Sequence, residues 1–339
     1  MLIGVDLVAA APTDPQHVNV GGGELIVVDV TDPTDPAITA RAEGLTSTHA
    51  VACVDGARCR YACSAGNSGS GTFSVFDLRD LDAPVELDGD TLATDLQLML
   101  RLKKAARLPA VETLPIDKAR AATRHEAAQA GGDQPIGEVR DLTAAGLPAR
   151  LYVPISSAGD ATGGGDPLLV FFHGGGFFVG DIETHDAPCR LIAERAGVRV
   201  LSVEYHQGPE HPFPAAHDDA ERAYHWVVDH ARELGADPER IGVGGDSAGG
   251  NLAAATAIHA ARTGLPCRLQ LLVYPMTDAR HGARDGGEEF LSMRLFDEGF
   301  FLSRVFMDRA TECYVADDAQ MDDPRFSVML ADLPEGLAP

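Results

Sequence analysis

Gly245-Asp246-Ser247-Ala248-Gly249 is the stretch that decides the fold. It follows the apolar run Ile241-Gly242-Val243-Gly244 and precedes the helix-forming run Asn251-Leu252-Ala253-Ala254-Ala255. A G-x-S-x-G in strand–turn–helix context is a nucleophile elbow. The serine sits on a strained turn, and glycines flank it because a Cβ there would clash. Such a turn lifts the Ser247 hydroxyl off the end of a parallel strand. The following helix N-terminus favours developing negative charge.

Upstream, His173-Gly174-Gly175-Gly176-Phe177 follows Leu168-Leu169-Val170-Phe171-Phe172, a run that reads as a buried strand. Acyl transfer passes through a tetrahedral oxyanion, which needs backbone N–H groups aimed at one point. A glycine loop of this type supplies them together with the residue after the serine. The expected donors are Gly175, Gly176 and Ala248. Gly174 and His173 are expected to support the loop, His173 by hydrogen bonding rather than as a base.

The order of these motifs, with Gly208-Pro209-Glu210-His211-Pro212-Phe213-Pro214 between them and Tyr274-Pro275 and Asp323-Pro324-Arg325 after them, resembles the bacterial hormone-sensitive-lipase-like (family IV) carboxylesterases. The resemblance covers residues from about 90 to 334, and the hydrolase domain is expected over 90–339. It implies an α/β-hydrolase fold with an N-terminal helical cap, a small-molecule ester as substrate and no cofactor. One departure is local: the family's Tyr-Arg-Leu-Ala-Pro-Glu is here Tyr205-His206-Gln207-Gly208-Pro209-Glu210. A larger one concerns the triad. The family order is serine, then acid, then histidine, and no histidine follows His281. The expectation is a domain lacking its C-terminal part, with impaired hydrolysis of short-chain esters. Asp278 and His281 are the substitute acid and base to consider, although Asp278 also reads as a capping residue and His281 as part of a surface loop. The alternative function is a catalytically inactive hydrolase fold kept for binding or assembly. The strand at residues 269–274 is then expected to be an open edge, and a partner chain completing the sheet is a candidate partner.

Outward from the motifs the pattern is an α/β alternation. Strands are expected at residues 136–142, 149–153, 168–172, 198–204, 241–244 and 269–274. Helices are expected at 91–108 (capped by Asp90), 115–130, 185–196, 215–235 and 248–262. This predicts a doubly wound sheet with helices on both faces. The segment 288–313 carries Phe290, Phe296, Phe300, Phe301 and Phe306 and is expected to join the cap.

Residues 1–89 are a different text, with no lysine and acidic residues far outnumbering arginines. Ile26-Val27-Val28-Asp29-Val30 with its Asp/Pro turn returns as Phe73-Ser74-Val75-Phe76-Asp77, about 48 residues on, within the span of one propeller blade. This segment resembles the LVIVD-type repeat of β-propeller proteins and is expected to form an all-β blade fragment.

Composition narrows the partners. The formal charge of −24 and pI near 4.7 argue against nucleic acid and anionic membrane surfaces as partners. No apolar run is long enough to span a bilayer. Met1 to Ala11 lacks a basic start and carries Asp6, so a cytoplasmic location is expected. The six cysteines form no C-x-x-C pair, which argues against a metal site.

Overall fold

The computed structural model describes residues 109–132, 134–157, 165–280 and 300–339, together with Leu100 and seven short strands before residue 109. The chain divides into two compact units, Met1–Leu108 and Pro109–Pro339.

In the first unit β1 (Leu25–Asp29) pairs antiparallel with β2 (Ala37–Ala42). The strands β3 (Val51–Cys53), β4 (Tyr61–Ala65) and β5 (Phe73–Asp77) form an antiparallel meander. The two copies of the repeat thus fall on β1 and β5, while their Asp/Pro turns lie outside the described residues. Asp90 does not cap a helix. It pairs with Leu87, because β6 (Glu86–Leu87) and β7 (Asp90–Thr91) pair antiparallel. Of the helix expected over residues 91–108, Leu100 is helical; residues 92–99 and 101–108 lie outside the described residues.

The second unit is built on a six-stranded mixed sheet. Its strands are β8 (Glu138–Ala144), β9 (Leu147–Val153), β10 (Asp166–Phe172), β11 (Arg199–Val203), β12 (Ala236–Asp246) and β13 (Gln270–Val273), in the order β13-β12-β10-β11-β9-β8. β8 and β9 form an antiparallel hairpin, β9 pairs antiparallel with β11, and β11, β10, β12 and β13 run parallel. The pleat of β10 explains why both faces need cover. Leu168, Val170 and Phe172 point to one side, packed with Tyr224, Leu252 and Ala253. Leu169 and Phe171 point to the other, packed with Cys189 and Ala193.

The helices that supply this cover are α2 (Asp186–Ala196) on one face, and α3 (Ala215–His230) with α4 (Ser247–Thr263) on the other. Two more helices, α1 (Ile116–Ala130) and α5 (Arg304–Tyr314), meet around Phe178 and Val179 beside the sheet's carboxyl end. Of the cap segment expected at 288–313, residues 288–299 lie outside the described residues and the remainder holds α5.

At the sheet's end β13 leaves Leu269 and Tyr274 exposed, as expected of an edge. That edge is not wholly open: the Gln270 N–H donates to the Pro339 carbonyl at 2.9 Å.

Candidate active site

Register brings the two motifs together. Phe172 of β10 lies opposite Gly245 of β12 in parallel pairing, so His173 and Asp246 leave the sheet side by side. Open α/β sheets place ligand sites at this carboxyl edge.

Ser247 is the first residue of α4 and has φ +53°. A left-handed conformation costs a non-glycine residue about 1–2 kcal/mol, and it recurs where a side chain must project from a tight turn. The helix that follows lies hard against the end of β10. A Cβ on Gly249 would stand 2.6 Å from the His173 carbonyl oxygen and closer still to that of Phe172. Only glycine lets the backbones approach so near.

The loop at 173–176 is held from three sides. His173 is fully buried, stacks on Tyr205 at 4.3 Å between ring centres, and bonds the Gly174 carbonyl through Nδ1 at 2.9 Å. Tyr205 donates its hydroxyl to the His173 carbonyl at 2.7 Å. Burial, helped by the neighbouring His185, lowers the His173 pKa to about 4, which keeps the ring neutral at ordinary pH. It is therefore a fixed strut, as expected from the sequence.

The third hold went unread in the sequence. Asp246, the residue before the serine, accepts the Gly174 N–H at 2.9 Å, and the same oxygen lies 3.1 Å from His185 Nε2. One carboxylate thereby ties elbow, glycine loop and the start of α2 together. Its presence in the motif was visible; its partners were not, because they depend on strand register.

With Gly174 committed, the N–H groups of Gly175 and Gly176 have no acceptor among the described residues. Gly175 has φ +121°, and its carbonyl turns away to accept from Phe178 and Val179. Gly176, Ala248 and Ser247 line one cavity of about 210 Å³. Its remaining wall is apolar apart from Tyr274 and Thr311; Phe177, Met276, Leu302, Phe306 and Phe326 are prominent. No histidine or carboxylate is among the described residues of that wall.

Both oxygens of Asp278 are held by Arg280 at 2.8 Å, and this pairing lowers the Asp278 pKa to about 2. His281 lies outside the described residues. Asn251 does unforeseen work behind the elbow. Buried on α4, it donates to the carbonyls of Met276 and Phe326 and accepts from His217 Nε2, with all three bonds at 2.8–2.9 Å. Among the described residues no helix is long and apolar enough to cross a membrane.

The sequence profile of the alpha/beta hydrolase fold family matches residues 169–339. The chain is 43% identical to the carboxylic ester hydrolase LipN of Mycobacterium tuberculosis, over 75% of its own length and 68% of that protein's. It is 34% identical to the ethyl acetate hydrolase of Pseudomonas putida, over 73% and 77% of the two lengths. Among solved structures it is similar to the ester hydrolase EH1AB1 from the metagenome of Lake Arreo (37% identity, TM-score 0.66, covering 74% and 78%). A hyperthermophilic esterase of Pyrobaculum calidifontis is similar at 33% identity and TM-score 0.66, covering 73% and 78%.

Proposed function

The chain belongs to the alpha/beta hydrolase fold family as a carboxylesterase/lipase-type member, and from that premise we propose that Ser247 is its nucleophile toward short-chain esters. The Ser247 oxygen attacks the ester carbonyl carbon, and its proton passes by way of water to the oxygen of the departing alcohol. The resulting oxyanion takes hydrogen bonds from Gly175, Gly176 and Ala248. Collapse expels the alcohol and leaves an acyl-serine, which water then hydrolyses. The observation that carries this reading is the left-handed φ of Ser247 at the end of β12, beside a glycine loop whose next N–H groups have no acceptor among the described residues. A small apolar cavity suits a short, uncharged acyl group.

Turnover by this chain is slow in the same reading, since Asp278 is engaged by Arg280 rather than by an imidazole. That ion pair also favours the second reading, a hydrolase fold retained for binding. One experiment separates them. The purified chain is treated with a fluorophosphonate probe and assayed on an aryl acetate, beside Ser247→Ala. Labelling at Ser247 with weak turnover supports the impaired esterase; without a base, about 10³–10⁴-fold over water remains from the oxyanion donors and binding. Turnover of several per second, abolished in Ser247→Ala, refutes the impairment. No labelling at Ser247, together with turnover no greater than that of Ser247→Ala, refutes the esterase and leaves the binding reading.

A further inference from the structure

Away from this site, α3 and α4 pack through small residues, Ala216, Ala220 and Ala223 against Ala253, Ala257 and Ala260. Alanines let the two helices run close, and at their solvent rim this brings two imidazoles together. His225 of α3 and His259 of α4 stand with Nε2 atoms 3.0 Å apart, ring centres 5.2 Å apart and planes at 74°. Behind His259, the Glu221 carboxylate lies 3.4 Å from Nδ1. Glu221 is one turn before His225 on the same helix, so the three groups form a line across the helix pair.

The protonation of this line is constrained. The Glu221 carboxylate beside His259 Nδ1 favours the tautomer with its proton there, which leaves the His259 Nε2 lone pair facing His225. In that tautomer the single proton between the two Nε2 atoms comes from His225. Two nitrogens that converge on one proton also converge on one cation. We propose that His225 and His259 bind a divalent transition-metal ion of the zinc class, which replaces that shared proton and clamps α3 to α4.

Distances favour the exchange. Nitrogens each about 2.0–2.1 Å from zinc, at a tetrahedral angle, stand about 3.3 Å apart. The observed 3.0 Å requires the rings to tilt by only a few tenths of an ångström. His225 is exposed, so water can carry its one proton from Nε2 to Nδ1, which leaves a neutral ring with Nε2 free to bind. Glu221 then plays the outer carboxylate that orients a ligating histidine and raises its basicity. No group of three or more His, Cys, Asp or Glu side chains gathers into a metal cluster among the described residues. The site therefore offers two imidazoles, with water completing the coordination. The pair His206 and His211, with ring centres 4.3 Å apart, has no hydrogen bond between ring nitrogens among the described residues, so it lacks this convergence. The proposal is independent of the esterase reading.

The test is a zinc titration of the full chain after chelator treatment, followed by calorimetry and thermal melting. One ion is expected per chain, with a Tm that rises with zinc. His225→Ala and His259→Ala are each expected to weaken binding at least tenfold and to remove the Tm rise, Glu221→Gln to weaken it severalfold, and His211→Ala to leave it unchanged. Alanine is the best helix former at a surface helix position, so the variants should fold, and circular dichroism checks that they do. Should one fail, cobalt(II) added to the unmodified chain gives an independent readout. Paramagnetic shifts confined to the His225 and His259 rings support the site. Shifts at another pair, or zinc binding that survives both alanine variants, overturn it.

Discussion

Replacing Gly249 by alanine sets two rules against each other. Gly249 is the third residue of α4, and alanine is favoured over glycine in a helix by about 0.5–1 kcal/mol. Propensity alone therefore predicts a more stable protein. The added Cβ, however, would sit 2.5 Å from the Phe172 carbonyl carbon and 2.6 Å from the His173 carbonyl oxygen. Those atoms are backbone at the end of β10, so no side-chain rotation relieves the clash. Either α4 or the glycine loop must shift. Overpacking of this kind costs about 1–3 kcal/mol or more, so the net expectation is a loss of roughly 2 kcal/mol. Gly250→Ala is the internal comparison. Its Cβ would meet Pro275 at 3.0 Å and the Gly245 carbonyl at 3.1 Å, contacts that small adjustments relieve. The single tryptophan, Trp226 on α3, packs against the core that α4 shares, and its fluorescence follows urea unfolding of this unit. Gly249→Ala should lower the midpoint clearly more than Gly250→Ala, and should slow fluorophosphonate labelling of Ser247. An unchanged or raised midpoint for Gly249→Ala would refute the close-approach argument and leave propensity as the governing effect.

Asp246→Ala strands the buried Gly174 N–H and removes a charged acceptor, at a cost of about 1.5–3 kcal/mol in urea unfolding; Asp246→Asn, which keeps an acceptor oxygen, should recover at least half of it. Equal losses in the two variants would count against the tie. Asn251→Ala removes three buried hydrogen bonds and leaves two carbonyls and His217 without their partner, so a loss of about 3 kcal/mol or more is expected, against under ~1 kcal/mol if water replaces the amide. His173 and His217 are both held near pKa 4 by burial, below the ordinary ~6.5. Between those values the unfolded chain binds protons that the native chain does not. Stability is therefore full above about pH 6.5 and falls by ~1.4 kcal/mol per pH unit for each histidine as pH drops toward 4. Urea midpoints at pH 7.5, 6 and 5 measure this, and a flat profile contradicts it.

Much of this fold was legible because its signals are local. Alternating and continuous apolar runs predicted each strand of the sheet, and residues 185–196 and 248–262 read as helices almost to their observed ends. The elbow glycines and the 173–176 loop were readable because glycine marks places where a Cβ is not tolerated. Where a short signal competed with a longer one, local reading failed: Asp90 looked like a helix cap, but antiparallel pairing with Leu87 decides its place.

The remaining features depend on partners distant in sequence. Asp246 reaches Gly174 and His185 only because β10 and β12 pair in parallel with Phe172 opposite Gly245; a slip of one residue would turn the side chains to the other face. Asp278 carried an acid's residue type, yet its neighbour Arg280 takes both oxygens. His225 and His259 gave no motif in the sequence and meet because alanines let two helices close. The amino-acid sequence by itself determined the class of fold and the position of the serine, since backbone conformation and burial are written residue by residue. The tertiary structure alone decided which polar groups are engaged, since a hydrogen bond or an ion pair is settled by which atoms packing brings within about 3 Å.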